Sequence, residues 1–133
     1  MPKREAFKPD WPRLAGRGRP YSPAVKKGNL LFISGMTSYD REGNKVGLGD
    51  LVAQTRQIFE NMKDVLEAAG ATFDDVVKTV DYIVPEVLPN YKATAQIRRE
   101  YFKDNFPAAT GVVVNRLLSK ESLIEIDAVA VVD

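Results

Sequence analysis

The stretch Leu123–Val132, LIEIDAVAVV, constrains the fold more than any other part of the chain. Side chains alternate across a strand, so Ile124, Ile126, Ala128, Ala130 and Val132 form one unbroken apolar row. A row of that kind has to be covered, and helices are the expected cover. The opposite row reads Leu123, Glu125, Asp127, Val129 and Val131, two carboxylates in an otherwise apolar face. A buried carboxylate requires a partner or a raised pKa. On the solvated side of an antiparallel sheet it requires neither. The pattern leaves both readings open.

A second strand, Thr110–Arg116, precedes it, and a polar loop with Ser119, Lys120 and Glu121 joins the two. Earlier in the chain, Ala24–Lys27 and Leu30–Ser34 flank Gly28-Asn29, the signal of a hairpin with a primed turn. Ser34-Gly35 closes that hairpin where a glycine lets another chain or a ligand come close to the backbone. A turn at Asp40–Asn44 follows. The apolar spacing of Leu51–Ala69 predicts an amphipathic helix, with Asp50 as N-cap and Gly70 as stop. Thr72–Asp75 reads as a capped turn and Val76–Val84 as a strand. Pro89 opens a second helix reaching about Asp104, with Tyr91, Thr94, Ile97 and Tyr101 on its inner side. Residues 1–20, rich in Pro, Gly and basic side chains, read as an extended arm tied down by Phe7, Trp11 and Leu14. Its Arg13, Arg17 and Arg19 fit either a solvated segment or an anion-binding cluster.

The resulting order, ββ–α–β–α–ββ, predicts an α+β fold in one domain spanning residues 1–133. Two helices cover one face of a mostly antiparallel sheet. The other face, with Val112, Val114, Leu123, Val129 and Val131, is left partly apolar and invites closed self-association.

The available chemistry is narrow. The chain has no cysteine and no histidine, which removes disulfides, thiolate and imidazole metal sites, Cys nucleophiles and a Ser-His-Asp triad. Any reaction must use carboxylates, Arg, Lys, Tyr, hydroxyls and backbone groups. No metal-ligand spacing or phosphate-cradling glycine loop is present, so no cofactor is expected. A net charge of +1, from 19 basic and 18 acidic residues, disfavours a nucleic-acid partner. No apolar run approaches membrane-spanning length and no signal-peptide core is evident, so a cytoplasmic protein without a membrane partner is expected.

Three segments, RPYSPAVKKGNLLFISG, LVAQTRQIFENMKDVLEAAGATFDDVVKT and IEIDAVA, in this order and spacing, resemble the RidA/YjgF family of reactive-intermediate deaminases, also labelled endoribonuclease L-PSP. The resemblance covers nearly the whole chain. It implies a chorismate-mutase-like fold, assembly as a homotrimer with sites in the clefts between subunits, and hydrolysis of small enamines and imines to keto acids and ammonia. Carried onto this sequence, it implies Tyr21 at the mouth of the site, Ser34 and Gly35 along the pocket, and Glu125 as the group that activates water. Deaminating members hold the substrate carboxylate with an arginine two residues after a proline. Here that motif reads Pro107-Ala108-Ala109, so the position is Ala109, with Thr110 and Gly111 after it.

An alanine cannot grip a carboxylate. The expectation is therefore hydrolysis with a substrate range shifted away from 2-imino acids. Glu125 would handle protons, with backbone N–H groups near Ala109–Gly111 and the Thr110 hydroxyl binding the substrate. Arg17, Arg19 and Arg116 are candidates to replace the missing arginine. A non-catalytic small-molecule-binding or chaperone-like trimer is the alternative, and an RNA-directed role ranks third.

Overall fold

Strand β6 (Ile124–Val131) lies between β3 (Leu30–Met36) and β4 (Val76–Ile83) in a six-stranded sheet. β2 (Ala24–Lys27) and then β1 (Glu5–Phe7) extend the sheet beyond β3, and β5 (Ala108–Val113) extends it beyond β4. Neighbours are antiparallel except β4 and β5, which run parallel. Helices α1 (Leu51–Ala68) and α2 (Ala95–Phe102) complete the α+β fold. The computed structural model describes residues 2–15 and 18–133. Arg17, one of the candidate replacements, lies outside the described residues.

The period of two in β6 is realised as expected. Ile124, Ile126, Ala128 and Ala130 are buried, while the alternate residues from Glu125 to Val131 are partly exposed. The inner row packs under α1, whose stripe of Ile58, Phe59, Met62, Val65 and Leu66 is also buried. Asp50 caps α1 by accepting from Ala53 N at 3.0 Å. At the hairpin, Lys27 faces Leu30 and Gly28 adopts φ +62°, the left-handed backbone a primed turn requires. Thr72 and Asp75 form a reciprocal capping box.

Three local expectations are corrected. The second helix does not run from Pro89 to Asp104. Pro85–Thr94 is a 3-10 segment, and α-helical geometry is confined to α2. Two prolines without N–H groups leave the first part short of α-type hydrogen bonds. Lys103, the one non-glycine residue at positive φ (+59°) among the described residues, then ends the helix. Next, the strand expected over Thr110–Arg116 begins earlier, at Ala108, and β4 lies between it and β6. Finally, β5 stops at Val113, so Arg116 is not on a strand. β5 pairs only with β4, and the ladder runs out where Val114 N donates to Ile83 O at 2.9 Å.

Gln54 breaks the apolar pattern of α1 and is fully buried. Its Nε2 donates to Gly47 O and Glu121 O, both at 3.0 Å, and its Oε1 accepts from Leu123 N at 2.8 Å. One amide thus ties the loop before α1 and the entry to β6 onto the helix. Gln54→Leu would strand all three backbone groups. The expected cost is about 3 kcal/mol, seen as a lower urea midpoint at unchanged m-value.

Candidate active site beneath the N-terminal arm

The partly buried Glu125 lies on β6 with β3 as its neighbour, and the β3–β6 register shifts between Ile33 and Met36. Gly35 falls in that irregular stretch. A Cβ built there would overlap the Glu125 carboxylate and lie 3.0 Å from its Cδ. The glycine foreseen as a close-approach point is thus approached by the chain's own Glu125. Gly35 is required for that rotamer.

Above this carboxylate lies a cavity of about 640 Å³. Its floor includes Ser34, Gly35 and Glu125, and the arm forms a wall through Trp11, Arg13 and Tyr21. Ser122, from the loop between β5 and β6, contributes another side. Burial raises the pKa of Glu125 above the ordinary carboxylic-acid range, neighbouring Asp127 raises it further, and Lys45 opposes them. Asp127 accepts a hydrogen bond from Tyr82 Oη at 3.0 Å. Lys45 donates to Ser122 Oγ at 2.5 Å and stacks over the Tyr39 ring at 4.4 Å. Burial lowers its pKa, against the attraction of Glu121 and Glu125.

The residues proposed from the sequence divide into two groups. Tyr21, Ser34, Gly35 and Glu125 line the one cavity. Tyr21 is 58 % exposed at its rim. The Ser34 hydroxyl donates to Ser22 O at 2.6 Å, which fixes the segment carrying Tyr21. Ala109, Thr110 and Gly111 lie elsewhere, on edge strand β5. β4 separates that strand from β6, a gap of roughly 10 Å. Thr110 Oγ1 accepts from Lys78 Nζ at 2.6 Å. The space over Gly111 is taken by Tyr91, whose Oη lies 3.2 Å from where a Cβ would be. Gly111 lets Tyr91 reach the buried pair of Asp81 and Arg98. Burial, with the hydrogen bond to Asp81, pushes the Tyr91 phenol up to about 12. Arg116 is turned onto its own loop, donating to Leu117 O at 3.0 Å and Leu118 O at 3.2 Å.

Arg19 lines the cavity, and so does Arg13. Lys45, Tyr39 and Ser122 were not singled out from sequence. The Asp40–Asn44 turn, which Lys45 directly follows, was the one sequence signal nearby, and the bridge between Tyr39 and Lys45 that brackets it is seen only in the structure. Among the described residues, no group of three acidic side chains is placed to hold a metal ion. No described helix is long and apolar enough to cross a membrane.

This fold is that of a known class. The family model for endoribonuclease L-PSP matches residues 15–132, and the chain belongs to that family, the YjgF/RidA family. A RutC family protein of Pyrococcus horikoshii is 41% identical, covering 84% of this chain and 86% of the relative. The 3-aminoacrylate deaminase RutC of Acinetobacter baylyi is 38% identical, again over 84% of this chain and 86% of the relative. The crystal structure of a conserved Rid-family protein of unknown function from Yersinia pestis superposes with a TM-score of 0.85 at 33% identity, over 98% of this chain and 100% of that one.

The raised pKa of Glu125 carries a sign. Its native state keeps the proton to higher pH than the unfolded chain, so its contribution to stability is full below the ordinary glutamic-acid pKa. That contribution is lost as pH rises through the folded value. Glu125→Gln, which is neutral at every pH, should match wild type near about pH 4 and be the more stable protein near about pH 8 in urea unfolding. A constant difference across that range would contradict the assignment.

Proposed function

We propose that the protein hydrolyses small enamines or imines to the corresponding carbonyl compound and ammonia, with Glu125 moving the protons. The observation that carries this reading is a half-buried carboxylate, raised in pKa, held over Gly35 at the floor of a ligand-sized cavity. The protonated acid donates to the enamine carbon and produces the imine. The resulting carboxylate takes a proton from water as its oxygen adds to the imine carbon. Glu125 then gives that proton to the nitrogen and takes back the proton of the new hydroxyl as the C–N bond breaks, so that the carbonyl forms and ammonia leaves. One oxygen enters, one nitrogen departs, and Glu125 ends protonated as it began. The deaminase activity named for the Acinetobacter relative supports this class of reaction.

The working unit in this proposal is a homotrimer. The sheet face opposite the helices exposes Phe32 by 50 %, Leu30 by 42 % and Val112 by 38 %, an apolar surface of the kind that subunit association buries. Ala109 and Thr110 of one copy, remote from Glu125 within the chain, could then approach the cavity of another. Ala109 specifically favours a second reading, a trimer that binds small molecules without turning them over. Net charge and the absence of histidine weigh against RNA cleavage.

Enamine substrates generated in situ, followed by ammonia release, decide between the first two readings. Wild type should turn over and Glu125→Gln should lose about a hundredfold or more; equal rates would remove Glu125 from the mechanism. Ala109→Arg should raise activity on 2-imino acids if that position faces the substrate in the assembly. Phe32→Glu should convert the three-chain species in sedimentation velocity to monomer, and wild type sedimenting as a monomer would refute the trimer.

A further inference from the structure

We propose that Arg13 and Arg19, carried by the N-terminal arm, form the anion-binding end of the cavity. The substrates would then be carboxylates gripped by the arm while their nitrogen-bearing carbon reaches Glu125. In naming the substrate class this rests on the enamine-hydrolysis reading above. The anion site itself stands on separate observations.

The arm is docked as a wall. Trp11 is 5 % exposed and its Nε1 donates to Asp64 Oδ2 on α1 at 2.8 Å. Arg13 N donates to Arg41 O at 3.1 Å, and Arg41 Nη2 to Asp10 O at 3.2 Å. These tethers bracket Arg13. Its guanidinium lies over the Trp11 ring at 4.5 Å and near the Tyr39 ring at 6.0 Å. Stacking fixes the plane of the fork, whose terminal N–H groups are the ones a planar anion would meet.

The guanidinium lacks an ion-pair partner among the described residues. Arg13 Nε is buried without a hydrogen bond among the described residues. The ion pairs among those residues are Arg56–Glu100 and Arg98–Asp81, and neither involves Arg13 or Arg19. Asp40, the acid acting on Arg13, is committed to its own turn, accepting from Glu42 N at 3.0 Å and Asn44 N at 2.9 Å. Arg19 lies close enough to Arg13 to repel it. Two guanidiniums turned into one cavity, mutually repelling and without a carboxylate between them, are completed by an anion from outside.

Glu125 lines the same cavity yet forms no ion pair with either arginine. Cation and carboxylate thus share the cavity without contact, and in the proposal a ligand bridges them with its acid group at the arm and its reacting carbon at the floor.

Trp11 is the only tryptophan, so its fluorescence reports on the adjoining guanidinium. The test titrates purified protein with propanoate, succinate and the neutral propanamide, followed by Trp11 fluorescence and calorimetry. Wild type should bind the acids saturably and the amide not at all. Arg13→Gln should weaken acid binding by about tenfold or more, with Arg13→Lys in between. Glu125→Gln should keep or tighten it, because a like charge has been removed. Circular dichroism melts of each variant separate lost binding from lost folding. Undiminished acid binding in folded Arg13→Gln overturns the proposal. So does an absence of saturable acid binding in a wild type that turns enamines over, which leaves the hydrolysis reading intact. Arginine-dependent acid binding without turnover does the reverse, sustaining the anion site while the hydrolysis reading fails.

Discussion

Two helices can shield only one side of a six-stranded sheet, and that limit organises the rest of the molecule. Apolar side chains of β6 and α1 fill the shielded side, and the buried Phe59 and Phe102 join the partly exposed Phe73 and Tyr101 in an aromatic cluster at its margin. Glu125 and Asp127 fall on the other side, where the alternation of the strand places them whatever their chemistry. A carboxylate beneath α1 would have required a buried partner of the kind Asp81 finds in Arg98 and Tyr91. On the unshielded side Glu125 needs only partial cover, which the arm and the loop after β5 provide.

That partial cover sets the character of the cavity. Deep burial would leave Glu125 protonated and inert at neutral pH, and full exposure would leave it an ordinary carboxylate. Gly35 removes the one side chain that would push the carboxylate aside. Lys45, held by Ser122 and Tyr39, tempers the desolvation without closing an ion pair. The cavity is thus lined by both an acid and guanidinium groups.

Much of this was legible in the residues. Period two in Leu123–Val132, the stripe of α1, and the Gly28-Asn29 turn each have a local cause, so sequence order was enough to read them. Tyr21, Ser34, Gly35 and Glu125 were identified together through resemblance, and they line one cavity. Illegible features were those fixed by non-local pairing. Nothing in Thr110–Arg116 says that its ladder ends at Val113, because that depends on where β4 runs out. Gln54 reads as a blemish in an apolar stripe until the carbonyls of Gly47 and Glu121 are brought to it. Lys45 acquires meaning only when its turn is laid beside β6, whereas Arg13 could already be read as part of an anion-binding cluster. Gly111 was expected to help offer backbone N–H groups to a substrate, and within the chain its bare Cα makes room for Tyr91.

The position of β6 in the sheet bears on how the protein is made. Strands β1, β2 and β3 form one ribbon and β4 with β5 another, and no pairing links the two until β6 enters between them. β6 is the last of the six to emerge from the ribosome. The nascent chain must therefore hold two half-sheets with open edges, and ladders as distant as Leu31 with Ala130 close only at the end. A cell expressing this protein has an incomplete β-surface to guard throughout translation, and the strand bearing Glu125 is the one that seals it.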